Sequence, residues 1–283
     1  MPELPEVETV RRGLQPALEG HRLVRVQLNR PDLRFPMPDG FVQRLTGARI
    51  DRLDRRAKYL LGHLDRGDIL VMHLGMTGRF EIDGATPGEF ARAVDPDPKH
   101  AHVVFETEAG AWVTYYDPRR FGFMSLIPEM DLDRHPWFAG MGPEPLGPDF
   151  TEATLIKAFA GRKQGPKTLL LDQRIVAGLG NIYVCEALHR AGISPLKPAG
   201  GIAKKRIGPL VAAIKDVLAE AVEVGGSTLR DFAAADGALG YFQHRFRVYD
   251  REGEPCPTPG CSGTIARVVQ SGRSTFYCPK CQK

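Results

Sequence analysis

The sequence predicts an α+β multidomain protein: an N-terminal helix leading into a β-sandwich, then a helical domain, then a small β-hairpin held by cysteines. Three observations carry this reading. Residues 22–127 break into short apolar runs divided by Gly, Asp and Pro, the pattern of strands and turns. Residues 151–235 change to helical periodicity. Four of the five cysteines crowd into residues 256–283, in two close pairs. The predicted boundaries are 1–128 for the sandwich domain, 129–150 for a Pro- and Gly-rich linker, 151–250 for the helical domain and 251–283 for the cysteine module. A chain of 283 residues suits about two domains with a small appendage.

The first element is a helix. Leu4, Val7, Val10, Leu14 and Leu18 fall on one face of a 3.6-residue repeat. Pro5 suits the first turn, and Glu6 and Glu8 suit the positive end of the helix dipole. Most chain ends fray, but a buried helix beginning at Leu4 holds this one still. That gives Pro2 a second meaning beside that of an ordinary second residue. A small residue after Met1 lets the methionine be removed, and the mature chain then begins with a secondary amine. Such an amine attacks carbon and gives an iminium with no further proton loss from nitrogen. The neighbouring Glu3 is placed to move protons. Retained Met1 blocks that chemistry.

The sandwich strands include Arg22–Leu28, Tyr59–His63, Ile69–His73, His102–Glu106 and Trp112–Tyr116. Their spacing favours two packed sheets. Arg55-Arg56-Ala57-Lys58 places three cations just before one strand. Met76 lies in a glycine-flanked turn, and Arg119, Arg120 and Phe121 share another. A turn-borne Met or Phe is usually a cap on the core. The alternative is a wedge pushed into a base stack, since apolar side chains beside Arg are how proteins unstack DNA.

In the helical region, Ile207, Leu210, Val211, Ile214, Val217, Leu218, Ala221 and Val222 form one amphipathic helix ended by Gly225-Gly226. Gly178-Leu179-Gly180-Asn181 opens another helix running to about Ala191. Glycines there expose backbone N–H groups, a setting for phosphate or for a tight turn alone. No strand with dinucleotide-binding spacing precedes it, so a nucleotide cofactor is not expected.

Cys256 and Cys261 are separated by four residues, and Cys278 and Cys281 by two. Between the pairs, Ile265–Gln270 and Thr275–Tyr277 read as a hairpin turning at Ser271-Gly272. Two knuckles on a hairpin are the pattern of a tetrahedral four-cysteine Zn²⁺ site, structural because protein fills every position. Arg273 sits at the hairpin tip. Residues 256–283 carry Arg267, Arg273, Lys280 and Lys283 and no acid, a charge of +4 that equals the whole chain's net +4. A compact basic patch points to a polyanion. Cys185 reads as a core residue. No apolar run is long enough for a membrane helix and no leader is visible, so a soluble, cytoplasmic protein is expected.

Together these segments resemble the bacterial formamidopyrimidine-DNA glycosylases, over nearly the whole chain. The resemblance implies a β-sandwich, a helix–two-turn–helix domain and a β-hairpin zinc finger, with damaged double-stranded DNA in the cleft between the halves. It also implies excision of 8-oxoguanine and ring-opened purines followed by β,δ-elimination, and a monomer. Residue by residue it implies that Pro2 is the nucleophile and Glu3 the proton donor. Lys58 assists β-elimination, and Arg273 is linked to δ-elimination and phosphate. Asn181 clamps phosphate, and Met76, Arg119 and Phe121 fill the gap left by the everted base. His100 and Arg162 match further DNA contacts, and Gly237–Phe242 matches the segment that closes over the base. The four-residue first knuckle departs from the family's usual two. Two other readings are a non-catalytic zinc-finger protein that binds DNA damage, and a relative that prefers oxidised pyrimidines. Leu4, where that relative has glycine, argues against the second.

Overall fold

The computed structural model describes residues 2–83, 97–227 and 241–283. It forms two compact units, Met1–Ala139 with Val224–Gln243, and Gly140–Glu223 with His244–Lys283.

In the first unit, α1 (Leu4–Leu18) buries the predicted stripe, Leu4, Val7, Val10, Leu14 and Leu18, almost completely. The strands are β1 (Leu23–Leu28), β2 (Ile50–Arg56), β3 (Tyr59–Leu64), β4 (Asp68–His73), β5 (Arg79–Asp83), β6 (Ala101–Thr107), β7 (Trp112–Tyr116) and β8 (Phe123–Pro128). They make two four-stranded antiparallel sheets, β1-β6-β7-β5 and β2-β3-β4-β8. A short helix, α2 (Phe41–Leu45), follows β1. One core joins α1 to both sheets, with Leu14, Val26, Leu60, Leu70, Phe80 and Phe105 among its members.

The predicted strands are all present within a residue or two. Strand β2 has no such signal in the sequence, because only Ile50 and Leu53 of its seven residues are buried. It is held instead by α1. Arg11 donates to the Leu53 carbonyl at 3.1 Å, Leu53 N–H donates to Glu19 at 2.8 Å, and Arg55 pairs with Glu8 at 3.3 Å. Only Glu6 of the two expected acids stands in the first turn; Glu8 lies in the second, where it pairs with Arg11 and Arg12 as well. Burial opposes its charge, but the arginines keep the Glu8 carboxyl below the usual range.

The predicted linker is not bare. Glu129–Arg134 forms a 3-10 turn, and Trp137 packs near Phe123 and Phe35, with ring centroids at 4.5 and 5.9 Å.

The second unit contains α3 (Glu152–Phe159), α4 (Pro166–Leu170), α5 (Asn181–Arg190), α6 (Ile207–Glu223), β9 (Ala266–Gln270) and β10 (Arg273–Tyr277). Helix α5 is the unit's centre, buried continuously from Ile182 to His189. Helix α6 buries the predicted stripe except Val222, which is half-buried. β9 and β10 pair as a hairpin whose turn, Ser271-Gly272, has φ of 49° and 73°. These left-handed values match the right-handed strand twist. Cys185 is a core residue as expected, and it packs with Val248, Ile265 and Phe276 beneath the cysteine module.

Candidate active site and nucleic-acid interface

Pro2 and Glu3 are both buried, Glu3 to 4% exposure. Glu3 is the N-cap of α1 and forms a capping box with Glu6, whose carboxylate accepts the Glu3 N–H at 2.8 Å. The other oxygen of Glu6 accepts from the Ser227 N–H at 2.8 Å and from its hydroxyl at 2.9 Å. One buried carboxylate therefore ties the third residue to a distant segment. Gly226 stands beside it with φ of +76°, and a Cβ there would lie 3.0 Å from Glu6 Oε1.

Lys58 is 8% exposed in the two-residue turn between β2 and β3. The turn takes Ala57 into the left-handed region at φ 53°, and Arg55 donates to the Ala57 carbonyl at 2.9 Å. On β4, the next strand of this sheet, His73 lies over Phe123 with rings 9° from parallel and 5.1 Å apart, and its Nδ1 accepts the Gly75 N–H. Burial first, then the cations Lys58 and Arg34, pull its pKa down to about 4.

The candidate wedge residues stand on two turns that one residue binds together. Asp117 is fully buried. Its carboxylate accepts from the Thr77 hydroxyl at 2.6 Å, the Gly122 N–H at 2.8 Å and the Tyr115 hydroxyl at 3.4 Å. Its own N–H donates to the His100 carbonyl at 3.2 Å, and its carbonyl meets His102 Nε2 at 2.9 Å. Met76 is thus fixed beside the Arg119–Phe121 turn, and His100 is linked to the same network. A Cβ on Gly75 would lie 2.3 Å from the Phe121 carbonyl carbon, which measures how closely the turns approach. Phe121 remains 45% exposed, with the Arg119 guanidinium 4.7 Å above its ring. An apolar side chain this exposed on a braced turn is suited to another surface rather than to the core.

In the second unit, Asn181 is the first residue of α5, and its Nδ2 donates to the Ser274 carbonyl at 3.0 Å. Lys167, 1% exposed, donates to the same carbonyl at 2.7 Å and to the Thr275 hydroxyl at 2.6 Å. The structure therefore brings Asn181 and the fingertip together, leaving Arg273, next to Ser274, exposed. Arg162 is also exposed, in the turn after α3. The predicted base-closing segment lies outside the described residues except for Tyr241 and Phe242. Phe242 is fully buried, with its N–H on the Gly226 carbonyl.

Sequence reasoning missed Asp117, Lys167 and the Glu6–Ser227 clamp. Each has a partner far along the chain, 40, 107 and 221 residues away, and no local pattern reveals such a link. The only hint was Asp117 preceding Pro118-Arg119-Arg120.

The sulfurs of Cys256, Cys261, Cys278 and Cys281 lie within 4.8 Å of one another. The pairs Cys256–Cys281 and Cys261–Cys278 are each 3.7 Å apart, far beyond a disulfide. A tetrahedron with Zn–S bonds of about 2.3 Å has sulfurs roughly 3.8 Å apart. The four cysteines are positioned to bind one zinc ion, and the enlarged first knuckle closes without loss of a ligand. No helix among the described residues is long and apolar enough to cross a membrane.

Comparison with known proteins agrees with this arrangement. Three family models match: the formamidopyrimidine-DNA glycosylase N-terminal domain over residues 1–124, its H2TH domain over 141–233, and the zinc finger found in FPG and IleRS over 253–283. The chain is 79% identical to the formamidopyrimidine-DNA glycosylase of Caulobacter vibrioides, with all of both chains covered. Its fold is similar to the crystal structure of MutM (Fpg) from Thermus thermophilus, with a TM-score of 0.85, 41% identity and coverage of 99% and 98% of the two chains. It is also similar to Lactococcus lactis Fpg in complex with DNA containing an abasic site, with a TM-score of 0.87, 33% identity and full coverage of both. The chain belongs to the formamidopyrimidine-DNA glycosylase family.

Proposed function

We propose that this chain is a bifunctional DNA glycosylase and abasic-site lyase of base excision repair, acting in the cytoplasm on double-stranded DNA that carries 8-oxoguanine or ring-opened purines. The observation that carries the reading is the buried N-terminal Pro2-Glu3 pair, locked by the capping box and by the Glu6–Ser227 clamp. A DNA-binding protein without chemistry has no need for a fixed amine at its terminus.

Each residue has a part in the reaction. With Met1 removed, the Pro2 nitrogen attacks C1′ of the damaged nucleotide, and the C1′–N bond breaks as the base leaves. Glu3 supplies the proton that lets the deoxyribose ring open, leaving an iminium between Pro2 and C1′. The positive charge acidifies the C2′ proton. Loss of that proton expels the 3′-phosphate, with Lys58 assisting and holding phosphate. A second elimination, aided by Arg273, expels the 5′-phosphate. Asn181, the exposed Arg162 and the half-buried His100 grip the backbone. Met76, Arg119 and Phe121 enter the stack where the base has left, which an enzyme acting on an everted base requires. Zinc supplies a cross-link that shapes the fingertip, and the chemistry itself runs on the amine and its proton partners.

The test is strand cutting on a duplex with one 8-oxoguanine opposite cytosine. The expected product is a one-nucleotide gap with phosphate at both ends, lost in Pro2→Gly. Tight binding with no cut, by protein verified to lack Met1, would leave a damage-binding protein.

A further inference from the structure

Helix α5 places a second kind of side chain at the cysteine site. His189 is 3% exposed, near the helix end. Its Nε2 lies 3.5 Å from Cys256 Sγ, 4.0 Å from Cys281 Sγ and 3.3 Å from the Thr258 hydroxyl. Thr258 belongs to the enlarged knuckle, and its hydroxyl also lies 3.8 Å from Cys281 Sγ. The other ring nitrogen, Nδ1, is buried and has no hydrogen-bond partner among the described residues. One face of the ring's polarity is thus unused, and the other is aimed at two metal ligands.

Four sulfurs complete the tetrahedron, so the ring is not a fifth ligand. What remains for it is the charge on sulfur. Four thiolates around one Zn²⁺ leave net negative charge, and donors pointed at the sulfurs stabilise it. Only an Nε2–H tautomer offers such a donor. We propose that His189 is a positioning residue of the zinc centre. Its Nε2–H donates to Cys256 Sγ while the Thr258 hydroxyl donates to Cys281 Sγ, and together they retain the metal in the four-residue knuckle. The two extra knuckle residues then have a purpose, because Thr258 stands within the inserted turn. The link also fastens the finger to the core of its own unit.

The native protein tests this without any substitution. In the zinc-loaded chain, long-range ¹H–¹⁵N correlation of the imidazoles should show His189 protonated at Nε2. Protonation at Nδ1 alone overturns the proposal. In Co²⁺-loaded protein, His189→Phe should move the sulfur-to-cobalt charge-transfer bands to longer wavelength, because unbonded thiolates give up electrons more readily. His189→Gln, which keeps an N–H donor, should recover part of the shift. Zinc transfer to a chromogenic chelator should quicken roughly tenfold in His189→Phe. Unchanged bands and an unchanged rate in folded His189→Phe would reduce the ring to packing. If that variant does not fold, Thr258→Val is read in the same two assays, and wild-type behaviour there counts against the proposal.

Discussion

Replacing Asp117 by alanine removes the acceptor that binds the two wedge turns together. Three donors lose their partner at a fully buried site: the Thr77 hydroxyl at 2.6 Å, the Gly122 N–H at 2.8 Å and the more distant Tyr115 hydroxyl at 3.4 Å. Hydrogen bonds to a charged group contribute about 1.5–3 kcal/mol each, and buried donors left unsatisfied carry a desolvation penalty of their own. Two strong bonds and one weak one give a loss of about 3–5 kcal/mol. In a unit of this size that lowers the melting temperature by roughly 6–20 °C. The chemistry should suffer as well. Met76, Arg119 and Phe121 lose their fixed spacing, and a displacement of about 1 Å can cost on the order of 100-fold in rate. Asp117→Asn should fall between, since its amide keeps one acceptor and sets an N–H₂ against a donor. The assays are thermal melting and single-turnover excision on an 8-oxoguanine duplex. If Asp117→Ala melts within about 2 °C of the native protein and excises at the native rate, the account of the braced turns is wrong.

Three further outcomes follow from the geometry. His73 stays neutral when folded, with a pKa near 4 against 6.5 when free. The unfolded chain therefore takes up that proton first, and stability present above pH 6.5 falls by about 3 kcal/mol as pH drops to 4. Denaturant titration across that range should show the slope, and His73→Asn should remove this histidine's share of it. Lys167→Met deletes two bonds from a buried ammonium to the fingertip strand, at 2.7 and 2.6 Å. It should lower stability by about 2–4 kcal/mol and weaken DNA binding measured by fluorescence anisotropy, with Ser274 still held by Asn181. Removing zinc with a mercurial and chelator should release one metal equivalent and abolish tight DNA binding, and added Zn²⁺ should restore it. Binding that survives metal loss would mean the finger is not part of the interface.

Much of the architecture was legible because it rests on local pattern. The α1 and α6 stripes repeat every three or four residues, and the knuckles announce themselves by spacing alone. The turn at Ser271-Gly272 follows from residue chemistry. Strand β2 was not legible as a strand, because ion pairs and α1 hold its polar residues rather than an apolar face. At the candidate site, Pro2, Glu3, Lys58, Asn181, Arg273 and the four cysteines could be named from motifs. The residues that position them could not. Asp117 looks like an ordinary turn acid until its three donors are seen. Lys167 stands in the first turn of α4, yet it is buried, and its partners lie on a distant strand. Glu6 takes its expected place in the first turn of α1, but nothing local shows that its carboxylate also bridges the terminus to Ser227. His189 sits at a core-facing position of α5, and nothing local says that sulfur lies opposite.

The chemistry proposed for this chain turns on a covalent bond between the Pro2 nitrogen and the sugar. Borohydride reduction during reaction with an 8-oxoguanine:cytosine duplex, followed by mass spectrometry of the linked peptide, tests it directly. One adduct is expected, on the N-terminal peptide at Pro2, absent from Pro2→Gly and from protein that retains Met1. An adduct on Lys58 or another lysine, or excision with no trapped adduct at all, contradicts it.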